Sequence, residues 1–134
     1  MGMMLFYLGA ALLALGAELR SGVETVLDLV GFDERVRDVD LVITGEGNMD
    51  EQSAAGKAPV GVARRAKRCG KPVVAVVGGR ADNLDAVHEQ GIDLVLPICR
   101  KPMDLEQALD PQEATANLIC AGEAAARSYD LGRI

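Results

Sequence analysis

The stretch "VDLVITGEGNMDEQSAAGKAP", residues 39–59, decides the fold. Val39 to Thr44 form a short apolar, β-branched run bounded by glycine, the pattern of a buried strand. Residues 45–58 read as a loop, and Pro59 stands where a helix tolerates proline, in its first turn. "VGVARRAKRC", residues 60–69, is that helix, and Gly70 closes it. "KPVVAVVGG", residues 71–79, is a second apolar run that again ends in glycines. Strand, helix, strand in this order is the unit of a parallel sheet.

Working outward, the alternation continues. Residues 83–91 read as a helix stopped by Gly91, and "IDLVLPI", 92–98, as a third strand. Asp104 to Leu109 form a short helix, and residues 111–132 a long one, with Pro111 near its start and Gly132 near its end. Upstream, residues 5–17 read as a helix. Residues 23–32 carry Val23, Val26, Leu27 and Val30 at helical spacing, and Asp33 to Arg37 make a further short helix. The expectation is one α/β domain over residues 1–134, a small parallel sheet that awaits partner strands.

Composition agrees. Apolar residues are 49% of the 134 and charged residues 25%, an ordinary globular balance. Aromatics are only 3%, so the core is aliphatic, as parallel strands require. The net charge of −6 argues against a nucleic-acid partner, which demands a cationic surface. The basic cluster Arg64, Arg65, Lys67, Arg68 reads as the solvated last turn of a helix, with a local phosphate patch as the alternative. Cys69, Cys99 and Cys120 have no metal-ligand spacing and suit reduced thiols in the cytoplasm. The sole histidine, His88, lies in a polar helix and reads as a surface residue. The apolar run from Met3 to Ala17 is about 15 residues, short of the ~20 that span a bilayer. No Lys or Arg precedes it, so it lacks the front of a signal peptide. A helix apolar all round demands burial, and this one is expected to mediate self-association.

The loop after the first strand carries the chemistry. Ligands of open parallel sheets bind beyond the carboxyl ends of the strands. Two such ends are glycine-rich here, Gly45-Glu46-Gly47 and Gly78-Gly79. Glycine lets a backbone come close to a ligand, and free amides there attract anions. Glu46 and Asp50 supply hard oxygens suited to Mg²⁺, Lys57 a charge for phosphate, and Ser53 a hydroxyl. Neither standard nucleotide fingerprint is present. Ala58 follows Gly56-Lys57 where a P-loop has Ser or Thr, and Asp50 stands where a dinucleotide motif starting at Gly45 has its third glycine. From the residues alone, two readings stay open: a phosphate or metal-phosphate site, or an acidic turn in which Asp50 caps a short helix.

The ordered run decides between them by resemblance. Asp38, Asp40 and Leu41-Val42-Ile43-Thr44-Gly45-Glu46-Gly47 are followed by Asp50, Gln52-Ser53, Gly56-Lys57, Pro59, Gly61-Val62-Ala63, Ala66-Lys67 and Lys71-Pro72-Val73. This pattern resembles the glycerate kinase family, from about Gly9 to the C-terminus, and looks like the C-terminal part of that longer protein. Met1 to Leu8 depart from the family's pattern, and Asn48-Met49 replaces a basic-then-aliphatic pair.

The resemblance implies a Rossmann-like parallel sheet with flanking helices, a partial domain of a larger two-domain kinase fold. It implies ATP-dependent phosphoryl transfer to a hydroxyl of D-glycerate, giving phosphoglycerate, with Mg²⁺. Glu46, Asp50 and Lys57 are then the catalytic residues, and Glu46 and Asp50 the metal ligands. Gly45, Gly47, Ser53, Gly78 and Gly79 line the nucleotide cleft. No membrane partner is expected. The alternative is a non-catalytic α/β domain, a remnant of the kinase that self-associates through the apolar N-terminal helix.

Overall fold

The structure is a computed structural model and describes residues 2–133, with side chains from residue 7 onward. The family departure before residue 7, and the start of the apolar run, therefore lie outside the described side chains. Strands β1 (Val42–Met49), β2 (Val73–Arg80) and β3 (Leu94–Pro97) form one parallel sheet in the order β1-β2-β3. The helices are α1 (Gly2–Ala14), α2 (Gly22–Leu29), α3 (Phe32–Val36), α4 (Ala58–Arg68), α5 (Asp85–Glu89), α6 (Leu105–Leu109) and α7 (Pro111–Leu131). A 3-10 turn, Glu51–Ala55, links β1 to α4.

The first strand differs from the sequence reading. It does not stop at Thr44 but runs on to Met49, which is fully buried in the core. Pairing with β2 explains the extension. Gly45 aligns with Val76, Glu46 with Val77 and Asn48 with Gly79. The glycines fit this close approach: a Cβ on Gly45 would collide with the carbonyl oxygen of Val76. One on Gly78 would stand 2.5 Å from the Gly47 carbonyl oxygen. What reads as a turn is a tight strand pair.

Two layers of helix cover the sheet. Val73, Ala75 and Val77 pack with Val60, Ala63 and Ala66 of α4 and with Val87, Ile92 and Met49 in one aliphatic core. The opposite face of β2 and β3 meets α7, whose buried Asn117, Ala121 and Ala125 recur every fourth residue on one side. Helix α4 ends in a Schellman motif. Gly70, at φ 70°, donates to the Lys67 carbonyl, and Lys71 donates to that of Ala66.

In the basic cluster of α4, Arg64, Lys67 and Arg68 are exposed, whereas Arg65 is partly buried and tied down. Three carboxylates surround the Arg65 guanidinium: Asp33 and Asp28 each at 2.6 Å and Glu24 at 2.8 Å. Hydrogen bonds to Asp33, then Asp28 and Glu24, raise its pKa further. Arg64 binds Gln90, and Lys67 binds Asp93 at 2.6 Å. These cations fasten α2, α3 and the start of β3 to α4. His88 is exposed, its Nδ1 2.7 Å from the Ile92 carbonyl. Among the described residues, no helix is long and apolar enough to cross a membrane.

Candidate active site

Extension of β1 to Met49 delivers Glu46 and Asp50 to the carboxyl end of the sheet. Asp50, at the strand's end, caps the 3-10 turn: its Oδ1 accepts from the Ser53 amide at 3.1 Å. The Ser53 hydroxyl accepts from the Asp50 amide, also at 3.1 Å. This reciprocal capping box fixes both residues. Ser53 is completely buried, so its hydroxyl faces Asp50 and Lys57 rather than solvent.

Lys57 is the N-cap of α4, and its Nζ donates to the Ser53 hydroxyl at 3.1 Å. From there it stands 3.6 Å from Asp50 Oδ1 and 3.8 Å from Glu46 Oε2. The structure thus brings Glu46, Asp50, Ser53 and Lys57 together. Desolvation pushes the Asp50 carboxyl up, but the Lys57 charge and the Ser53 hydrogen bonds outweigh it. The net shift is downward, and Asp50 stays ionised. Glu46 is largely buried, and its Oε1 has no hydrogen-bond partner. A buried carboxylate oxygen without a donor demands an explanation, and a ligand or ion is one. Among the described residues, no group of three or more His, Cys, Asp or Glu is gathered for a metal.

The four glycines divide. Gly45 and Gly78 have no room for a side chain because a neighbouring strand lies against them, and Gly79 is crowded by the Asn48 side chain. Gly47 has nothing within 4 Å of where a Cβ would be, so its backbone is open to approach.

Sequence reasoning picks out Gly78 and Gly79 at the end of the second strand but assigns nothing to the charged residues there or past the third. Arg80 ends β2 and is bound to the Ala81 and Asp82 carbonyls. Past β3, Arg100 donates its Nε–H to the Oδ1 of buried Asn117 at 2.7 Å. An adjacent Arg-Lys pair just past a strand is the signal that was available. Its anchor, seventeen residues on, is invisible before folding.

Comparison with known proteins follows this geometry. Residues 7–130 match the model of the glycerate kinase family. A glycerate kinase from Bacillus cereus is 48% identical over 119 residues, covering 88% of this chain and 31% of the relative. The glycerate 2-kinase of Escherichia coli is 46% identical over 102 residues, covering 75% of this chain and 27% of the relative. A solved Salmonella typhimurium LT2 structure described as glycerate kinase 2 superposes with a TM-score of 0.60 at 35% identity. It covers 89% of this chain and 30% of that one. The chain therefore spans about a third of the length of the curated relatives it matches (31% of the first of them). With a family match over nearly its whole length, the chain belongs to the glycerate kinase family.

Proposed function

We propose that this chain supplies one wall of a phosphoryl-transfer site that moves the γ-phosphoryl of ATP to a hydroxyl of D-glycerate, giving phosphoglycerate. The observation that carries the reading is the unpartnered Oε1 of Glu46, buried beside Lys57 and an ionised Asp50 at the carboxyl end of a parallel sheet. Phosphoryl transfer requires positioning and charge neutralisation more than covalent chemistry, and this cluster offers both.

The donor set fits Mg²⁺, which takes one or two carboxylates and completes its shell with phosphate oxygens and water. Glu46 and Asp50 would hold it, and when bound it would neutralise charge on the phosphates. The two carboxylates differ in aptitude. A depressed pKa suits Asp50 to metal ligation. A sequestered, unpartnered oxygen suits Glu46 to accept the proton of the attacking hydroxyl. Lys57, steered by the Ser53 hydroxyl, presents its charge to the transferred phosphoryl. Ser53 acts through its neighbours, as a positioning residue. The backbone at Gly47 admits close approach of a phosphate, and Gly45, Gly78 and Gly79 complete that wall. Three free cysteines suit a reducing, cytoplasmic setting.

The test is a coupled assay with ATP, Mg²⁺ and D-glycerate. It is run on the chain and on a chimera carrying it in place of the matching segment of the Bacillus cereus relative. The chimera is expected to turn over, to lose activity with Asp50→Asn or Glu46→Gln, and to keep it with His88→Ala. A folded but inert chimera overturns the reading. A second reading, a non-catalytic domain that self-associates through α1, is favoured by the exposure of Tyr7, Leu8, Leu12 and Leu13 on that helix. No turnover together with a dimer or larger species in light scattering supports it.

A further inference from the structure

Among the described residues, two polar side chains are fully buried, Ser53 and Asn117, and each holds a cation at the carboxyl end of the sheet. Ser53 holds Lys57 beside β1, within the site already described. Asn117 holds Arg100 past β3, and nothing described so far uses that residue. Burying an amide is unfavourable unless its hydrogen bonds are made, so an Asn at zero exposure facing an Arg is a built feature.

Around Arg100 two cations, Arg100 and Lys101, converge on Glu113. Nε–H is bound to Asn117, and one terminal nitrogen donates to the Cys120 sulfur at 3.4 Å. The other stands 3.6 Å from Glu113 Oε1, and Lys101 Nζ is also 3.6 Å from that oxygen. Two cations thus share one carboxylate at ion-pair distance, and Glu113 Oε1, itself buried, has no hydrogen-bond partner. A cavity of about 310 Å³ opens here, lined by Lys101, Met103, Gln107, Asp110 and Glu113. Asp110 is occupied in capping α7, where it accepts from the Gln112 and Glu113 amides.

We infer that Arg100 and Lys101 form a second oxyanion site, for a carboxylate or phosphate, with Glu113 as an internal anion that a ligand displaces. Guanidinium geometry favours two-point binding of such groups, and Asn117 fixes its orientation in advance. The site lies on the α7 side of the sheet. Glu46, in register with Val77, lies on the α4 side. The identity of the anion rests on the phosphoryl-transfer reading, whereas the site itself does not.

The test is a titration of the ¹⁵N-labelled chain, separately with D-glycerate and with inorganic phosphate, following the Arg100 Nε–H and Asn117 side-chain amide signals. Saturable shifts of both signals are expected, and the tighter anion names the source. Arg100→Gln is expected to weaken binding about tenfold, the loss of one charge-assisted contact. Glu113→Gln is expected to tighten it by removing the competing carboxylate. Asn117→Ala, if it folds, is expected to weaken binding while His88→Ala leaves it unchanged. Absence of a saturable shift with either anion, or equal affinity in Arg100→Gln, overturns the site, as does weaker binding in Glu113→Gln. An inert chimera whose Arg100 still binds anion fails the kinase reading and leaves this one standing.

Discussion

Gly45 and Gly47 flank the same glutamate, yet the structure assigns them different constraints. A methyl group on Gly45 runs into the Val76 carbonyl, whereas one on Gly47 meets nothing within 4 Å. Neither has positive φ, so sterics and not backbone conformation decide. Gly45→Ala is expected to destabilise the fold by about 1–3 kcal/mol, the usual consequence of overpacking. Gly47→Ala is expected to stay within about 0.5 kcal/mol, as open surface positions do. Urea denaturation of the two variants checks this, and equal losses would remove the argument. Asp50 invites a pH test. Its carboxyl is depressed in the folded chain, so the folded state releases its proton more readily than the unfolded state, where Asp titrates near ~3.9. Its contribution is therefore complete above that value and is lost as acid protonates the folded carboxylate. Stability measured from neutral pH down to acid is expected to fall on the acid side in the parent. Asp50→Asn starts lower at neutral pH and falls less. Parallel curves would show that the capping box contributes nothing through charge.

At the scale of elements, what was legible followed from apolar runs bounded by glycine and proline. Val73 to Val77 reads as a buried strand because every side chain is apolar, and Pro59 and Pro111 mark helix starts because only there is a missing N–H harmless. The extension of β1 was not legible, because Gly45-Glu46-Gly47-Asn48 has the composition of a turn. Only the partner strand, with Gly78 opposite, makes an extended backbone fit there. Met49 is the clearest test of that extension. Read as loop, its side chain is replaceable; in the structure it is wholly buried among aliphatic residues. Met49→Ala is expected to destabilise by about 2–5 kcal/mol, the range for deleting a core side chain. Asn48→Ala, one residue away and exposed, is expected to change little. Comparable small effects at both positions would return residues 45–49 to a loop. The candidate site was legible in the same uneven way. Glu46, Asp50, Ser53 and Lys57 fall within a dozen residues and meet through one strand end, one turn and one cap. Arg100 and Asn117 meet only through packing of α7 on β3, which no local spacing encodes.

At the scale of the whole molecule, the sheet is unequally covered. Helix α4 lies over β1 and β2 on one face, whereas α7 lies over β2 and β3 on the other. The face of β1 away from α4 is left open, and Ile43, in register with buried Val74, is 53% exposed there. Strand β1 is also an edge, with unpaired backbone groups that invite another strand. Leu118 and Ile119 of α7 and Leu12 and Leu13 of α1 add further exposed apolar surface. Apolar surface on this scale drives association, and the net charge of −6 opposes it only at long range, where salt screens it. The isolated chain is therefore expected to self-associate with rising protein concentration in sedimentation velocity, more strongly in high salt. Ile43→Lys places a charge on the open face and the exposed edge together, and is expected to shift the distribution towards monomer without lowering the unfolding temperature. A chain that stays monomeric across the concentration range would mean that β1 is protected as it stands. An Ile43→Lys variant that associates as strongly as the parent would move the contact to α1 or α7.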